Sequence, residues 1–164
     1  MDDIPEDQQR PDERAALQDD LYAIKRQIDS GDYDAATIGA RVLQRDPRLT
    51  HYPDLASEVL GNLGTLLLFN AQGEENSAEA GPMIDEAIEL LNRARSMRRN
   101  AGFPTAIFDA NLALAHYQKF RLNGRPGELL VGKLILDGTR ASTDPDLAEW
   151  IGAIRKCFDT PTRP

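Results

Sequence analysis

The chain has 164 residues, net charge −8 and an isoelectric point near 4.8, which argues against general nucleic-acid binding, because phosphate contacts need net positive surface. Its longest apolar run is Leu66-Leu67-Leu68-Phe69, far too short for a membrane-spanning helix, and its single cysteine, Cys157, excludes an internal disulfide and a multi-cysteine zinc site. Hydrophobic residues make up 41% and charged residues 28%, as in ordinary soluble domains, and a length of this order suits one domain with a real core.

In residues 1–13, Asp2, Asp3, Glu6, Asp7, Asp12 and Glu13 stand against Arg10 alone. With Pro5, Pro11 and almost nothing to bury, this segment is expected to be a disordered acidic tail. It has neither a basic start nor an apolar stretch, so it is not expected to be a signal peptide. From residue 14 the helical period dominates. Leu17, Leu21, Ile24 and Ile28 share one helix face, and Gly31-Asp32 breaks the chain. A second helix carries Ala35, Ala36, Ala40 and Leu43 and stops before Pro47. Residues 54–70 read as a third helix with a broad apolar surface, and the polar, small stretch 72–81 reads as a loop.

The fourth helix, 83–99, is acidic early (Asp85, Glu86, Glu89) and basic late (Arg93, Arg95, Arg98, Arg99), matching the helix dipole. Asn100-Ala101-Gly102 closes it. A fifth helix covers 105–121 and a sixth 128–140, separated by the turn Asn123-Gly124-Arg125-Pro126-Gly127. Asp144-Pro145 supplies an N-cap and a first-turn proline for a seventh helix, whose single stripe includes Leu147, Trp150, Ile151, Ile154, Cys157 and Phe158. No segment alternates as a strand would. The expected fold is all-α, with residues 14–158 forming the domain and 159–164 a flexible C-terminus.

Two internal similarities suggest a repeat. Gly61-Asn62-Leu63-Gly64 and Ala110-Asn111-Leu112-Ala113 lie 49 positions apart, and Asp34-Ala35-Ala36 and Asp85-Glu86-Ala87 lie 51 apart. Tiny residues at fixed places let helices approach closely. With Gly31-Asp32-Tyr33-Asp34-Ala35-Ala36 running to Asp46-Pro47, Asn62-Leu63-Gly64, and Asp85-Glu86-Ala87-Ile88 with Leu91 and Ala94, the chain resembles the tetratricopeptide repeat family over about residues 14–140. Its spacings are longer than that family's period of about 34. The elongated hairpins are also similar to repeats preceding caspase-like peptidase domains in some bacterial proteins and, more weakly, to helical-repeat chaperones of type III secretion. The resemblance implies a short right-handed solenoid of three antiparallel hairpins with residues 144–158 as a capping helix.

It further implies a concave groove lined by the first helix of each repeat, onto which Lys25, Asn62, Thr65, Phe69, Asn111, Leu114 and Gln118 would point. Asparagines there can hold both the N–H and C=O of an extended peptide, and Lys25 a carboxylate; apolar pockets are expected near Phe69 and Tyr117. Ile107 and Asn111 stand where the family's carboxylate clamp has basic residues. Arg95, Arg98 and Arg99 are the candidate anchor for an anionic partner. The residues carry no phosphate loop, His-Glu-x-x-His or Gly-x-Ser-x-Gly motif. Cys157 is expected as a buried, inert thiol.

These readings lead to a non-enzymatic cytoplasmic adaptor for a protein or peptide, without cofactor, metal, nucleic acid or membrane, its oligomeric state open. The alternatives are a dedicated chaperone for one client, a self-associating structural module, and a small-ligand sensor or enzyme using His116 with Asp109 or Glu58 in an inter-helical cavity.

Overall fold

A computed structural model describes residues 6–74 and 77–161, and among these the secondary structure is helical throughout. The helices are α1 (Glu6–Asp29), α2 (Tyr33–Leu43), α3 (Pro53–Gly73), α4 (Ser77–Asn100), α5 (Ala106–Asn123), α6 (Pro126–Asp137) and α7 (Pro145–Asp159), with a 3-10 turn at Pro47–His51. No described helix is long and apolar enough to cross a membrane. The expected all-α class is therefore observed.

Local chemistry sets most boundaries. Asp32, Asp46 and Asp144 accept from backbone N–H groups at the starts of α2, the 3-10 turn and α7, satisfying donors that a helix start leaves unpaired. Gly31 and Gly102 take φ of 79° and 76° after α1 and α4. At α4 the Phe103 N–H donates to the Arg98 carbonyl (2.9 Å) and the Gly102 N–H to that of Arg99 (3.1 Å), a Schellman closure.

The two largest departures from the periodicity are at helix starts; α6 also runs from Pro126 to Asp137 instead of 128–140, taking in Pro126 and Gly127 of the expected turn. Helix α1 begins at Glu6, inside the segment expected to be a tail; residues 1–5 of that tail and residues 162–164 of the expected flexible C-terminus lie outside the described residues. Helix α4 begins at Ser77, not near 83, so most of the expected loop is helical and Pro82 lies within the helix. Ala80 explains this start, being buried with Ala71 of α3 and Ile84. Tertiary burial there outweighs the turn signals of Gly81 and Pro82.

Consecutive helices pack against each other, and α1, α3, α5 and α7 also touch in series. Residue pairs give the directions. Asp85 and Arg95 of α4 meet Lys119 and Asp109 of α5, so these helices run antiparallel. Gly61 and Thr65 of α3 meet Phe108 and Asn111 of α5, and Asn111 and Tyr117 of α5 meet Trp150 and Phe158 of α7, so these alternate helices run parallel. Helix α3 is central. Eleven of its 21 residues are buried, on all sides, as expected of a helix enclosed by neighbours. Two of its glycines, Gly61 and Gly64, set the spacing. A Cβ at Gly61 would fall 1.9 Å from the Phe108 ring, and one at Gly64 would fall 2.9 Å from Leu91 Cγ and 3.2 Å from the Ala87 carbonyl oxygen.

Ion pairs tie the helices laterally. Arg14 makes a two-pronged contact to Asp54 (3.2 and 2.5 Å), and Arg41 to Glu86 (2.7 and 2.9 Å). The hydrogen bonds from these guanidinium groups hold the Asp54 and Glu86 carboxyls below their ordinary range. A depressed folded-state pKa contributes stability above the unfolded value, and that contribution disappears as pH falls through the folded one.

Two outcomes are expected. Gly64→Val should lower urea-unfolding stability by about 1–3 kcal/mol, because a backbone carbonyl and a core leucine both occupy the space the side chain needs. Arg41→Gln should cost less than about 1 kcal/mol at pH 7, the pair being partly exposed. The gap between wild type and variant should close below about pH 4, where the unfolded carboxyls protonate; an undiminished gap at pH 2.5 would remove Glu86 as its source.

Candidate functional site

The series α1, α3, α5 and α7 frames a groove of about 490 Å³. Lys25 and Ile28 of α1 line it, with Glu58, Asn62, Thr65 and Phe69 of α3, Arg98 from the end of α4, Ile107, Phe108 and Asn111 of α5, and Trp150 of α7. Five of the residues expected to face a groove therefore do so: Lys25, Asn62, Thr65, Phe69 and Asn111. The other two, Leu114 and Gln118, line a second hollow of about 420 Å³ with Gln72, Tyr117, Arg121, Trp150, Ala153, Ile154 and Cys157. Trp150 belongs to both walls. The apolar surfaces expected near Phe69 and Tyr117 thus fall in two adjacent hollows.

Hydrogen bonding separates the polar groups engaged between helices from those without a full set of partners. Trp150 Nε1 donates to Asn111 Oδ1 (2.8 Å), Asn111 Nδ2 donates to Thr65 Oγ1 (3.0 Å), and Thr65 Oγ1 donates to the Gly61 carbonyl (2.9 Å). The chain of bonds crosses three helices, and Asn111 is buried within it. Asn111 therefore joins helices, and both ends of its amide are engaged. Asn62 differs: its Nδ2 is enclosed and has no hydrogen-bond acceptor. Lys25 is paired with Glu58, so the lysine expected to hold a partner's carboxylate already has one.

The three arginines expected to act together have separate fates. Arg95 pairs with the buried carboxylate of Asp109, whose other oxygen accepts from Thr105 Oγ1 at 3.0 Å. Arg99 is exposed at the end of α4, away from both hollows. Only Arg98 reaches the main groove. Its Nε donates to the Pro104 carbonyl (2.9 Å), and its Cζ lies 5.4 Å from the Phe103 ring centre and 5.2 Å from that of Phe108. Two aromatic faces and one hydrogen bond thus fix the guanidinium.

His116 lies elsewhere. Its Nδ1 is 2.8 Å from Glu128 Oε2 of α6, and Lys119 bridges Glu128 and Asp85. Asp109 and Glu58, the acids considered as its partners, pair with Arg95 and Lys25 instead. In the alternative with an inter-helical cavity, His116 meets Asp109 or Glu58; in the structure it faces Glu128 of α6, while Asp109 faces Arg95 of α4. Among the described residues no cluster of three His, Cys, Asp or Glu could hold a metal. Cys157 is only partly buried and lines the second hollow, which corrects the expectation of a buried thiol. It lies at the margin of the α7 stripe, whose centre is Ile151, Ile154 and Phe158.

Sequence reading did not anticipate Ile28, Glu58, Phe108 and Trp150 as groove residues. For Trp150 a signal existed, since a tryptophan on an apolar stripe needs an acceptor for its indole N–H. No protein-family model matches the chain, no curated protein matches it, and no solved structure matches it.

The arrangement predicts unlike roles for neighbouring arginines. Arg95→Leu should cost about 3 kcal/mol in chemical denaturation, because it strands a buried carboxylate. Arg99→Leu should change stability by less than about 0.5 kcal/mol. Equal costs would remove Arg95 from its structural role.

Proposed function

We propose that this protein is a non-enzymatic adaptor that holds an extended peptide or a segment of a partner protein in the groove between α1, α3, α5 and α7. The observation that carries this reading is the convergence of side chains from non-consecutive helices on one hollow with a mainly apolar lining, edged by Lys25, Asn62 and Arg98. Such a surface is ready before binding, so the protein loses little conformational freedom when a ligand arrives. Its titratable pair, Lys25 with Glu58, is mutually neutralised, and His116 lies outside both hollows, which favours binding over proton-transfer chemistry.

On the same reading the two sets of helices form a short right-handed solenoid of three hairpins capped by α7, similar to tetratricopeptide arrays, and the protein works in the cytoplasm. The antiparallel contacts of α4 with α5 and the parallel contacts of α3 with α5 and α5 with α7 support this arrangement. The single free thiol suits a reducing compartment.

Trp150 is the only tryptophan, so its indole N–H resonance and fluorescence report on the groove. Peptides selected from a random display library against the full chain are expected to shift that resonance. Ile107→Glu, at an exposed position on the groove wall, should weaken them at least tenfold, with helicity unchanged. Selected peptides that leave Trp150 unmoved and bind Ile107→Glu equally well would place the binding surface elsewhere.

A further inference from the structure

The groove's charges do not balance. Lys25 and Glu58 cancel, whereas Arg98 has no carboxylate partner, and no protein acceptor meets its two Nη groups among the described residues. In a chain of net charge −8, the uncompensated charge in the main groove is therefore positive. The guanidinium is also held in place before any ligand binds. Phe103 and Phe108 flank it, Nε is engaged by the Pro104 carbonyl, and the Nη edge remains as the one part able to donate outward. A planar, immobilised donor pair of this kind suits a carboxylate, which can accept two parallel hydrogen bonds.

The surroundings narrow the ligand further. Ile107 and Phe108 lie beside Arg98, Phe69 and Trp150 lie farther along the groove, and Asn62 Nδ2 lacks an acceptor. Arg98 rests on Phe108 of α5, and α5 lies between α3 and α7 in the contact series. The lining extends from Lys25 of α1 to Trp150 of α7, well beyond Arg98 itself, so a segment that fills the groove sets further residues beside the one that meets the cation.

Resting on the adaptor reading, we propose that the groove selects an internal acidic side chain flanked by bulky apolar residues. Arg98 pairs with the carboxylate, and the aromatic and aliphatic wall covers the apolar neighbours. Arg95 and Arg99 take no part.

Three capped probes test this on the full chain by titration at the Trp150 indole N–H: acetyl-Leu-Glu-Phe-amide, acetyl-Leu-Gln-Phe-amide and acetyl-Leu-Gln-Phe with a free C-terminal carboxylate. The first should bind about tenfold tighter than the second, as expected for a hydrogen bond to a charged group, and tighter than the third. Arg98→Gln should abolish the preference for Glu, Arg98→Lys should keep part of it, and Arg99→Gln should leave it unchanged. Equal binding of the Glu and Gln probes, or the same loss in Arg98→Gln and Arg99→Gln, overturns Arg98 as the anchor while leaving the groove as a binding site. Tightest binding of the third probe overturns the choice of a side chain. If none of the probes moves Trp150, both this proposal and the adaptor reading fail.

Discussion

The close approach made possible at Gly61 is the constraint from which the groove follows. A side chain at that position would overlap the Phe108 ring. Its absence lets α5 settle on α3, and the same parallel register brings Asn111 against Thr65. Phe108 then offers a face to Arg98, and Asn111 offers an acceptor to Trp150. One missing Cβ thus precedes, in a chain of contacts, both the cation and the indole of the groove. Packing and recognition share residues here, because a wall of the groove is also the seam between α3 and α5.

The polar groups divide along the same seam. Fully satisfied groups, such as Asn111 and Asp109, lie buried between helices, where an unpaired donor or a lone charge would be costly. The group with spare capacity in the hollow is the Nη edge of Arg98, whereas the amide nitrogen of Asn62 is enclosed and meets no acceptor. Hydrogen-bond accounting therefore separates fully engaged side chains from partly engaged ones of the same type. It distinguishes Asn62 from Asn111 and Arg98 from Arg95, pairs that composition and charge treat alike.

Much of the helical framework was legible in the sequence because its signals are local. The stripe Leu17-Leu21-Ile24, the capping aspartate of α7 and the glycine after α4 act within a few residues, and the structure uses each one. The start of α4 was not legible, since Ala80 is held by Ala71 across a bend in the chain, and no local rule reports that contact. For the groove, the register implied by the tetratricopeptide resemblance named Lys25, Asn62, Thr65, Phe69 and Asn111, which line one hollow. Register fixes direction but not partners. It could not show that Glu58 reaches Lys25, that Asp109 takes Arg95, or that Trp150 arrives from 39 positions away to engage Asn111.

The Schellman closure of α4 has a consequence beyond ending a helix. By returning Phe103 to the level of Arg98, it makes a solvent-exposed turn one jaw of a clamp on the cation. Gly102, which occupies the left-handed conformation there, touches no wall of the groove. A bulkier residue would strain that conformation by about 1 kcal/mol, small enough for the fold to survive but large enough to loosen the jaw. On the proposed reading, this surface glycine would be kept in a map of tolerated substitutions for ligand choice and not for stability, at a position that lines neither hollow.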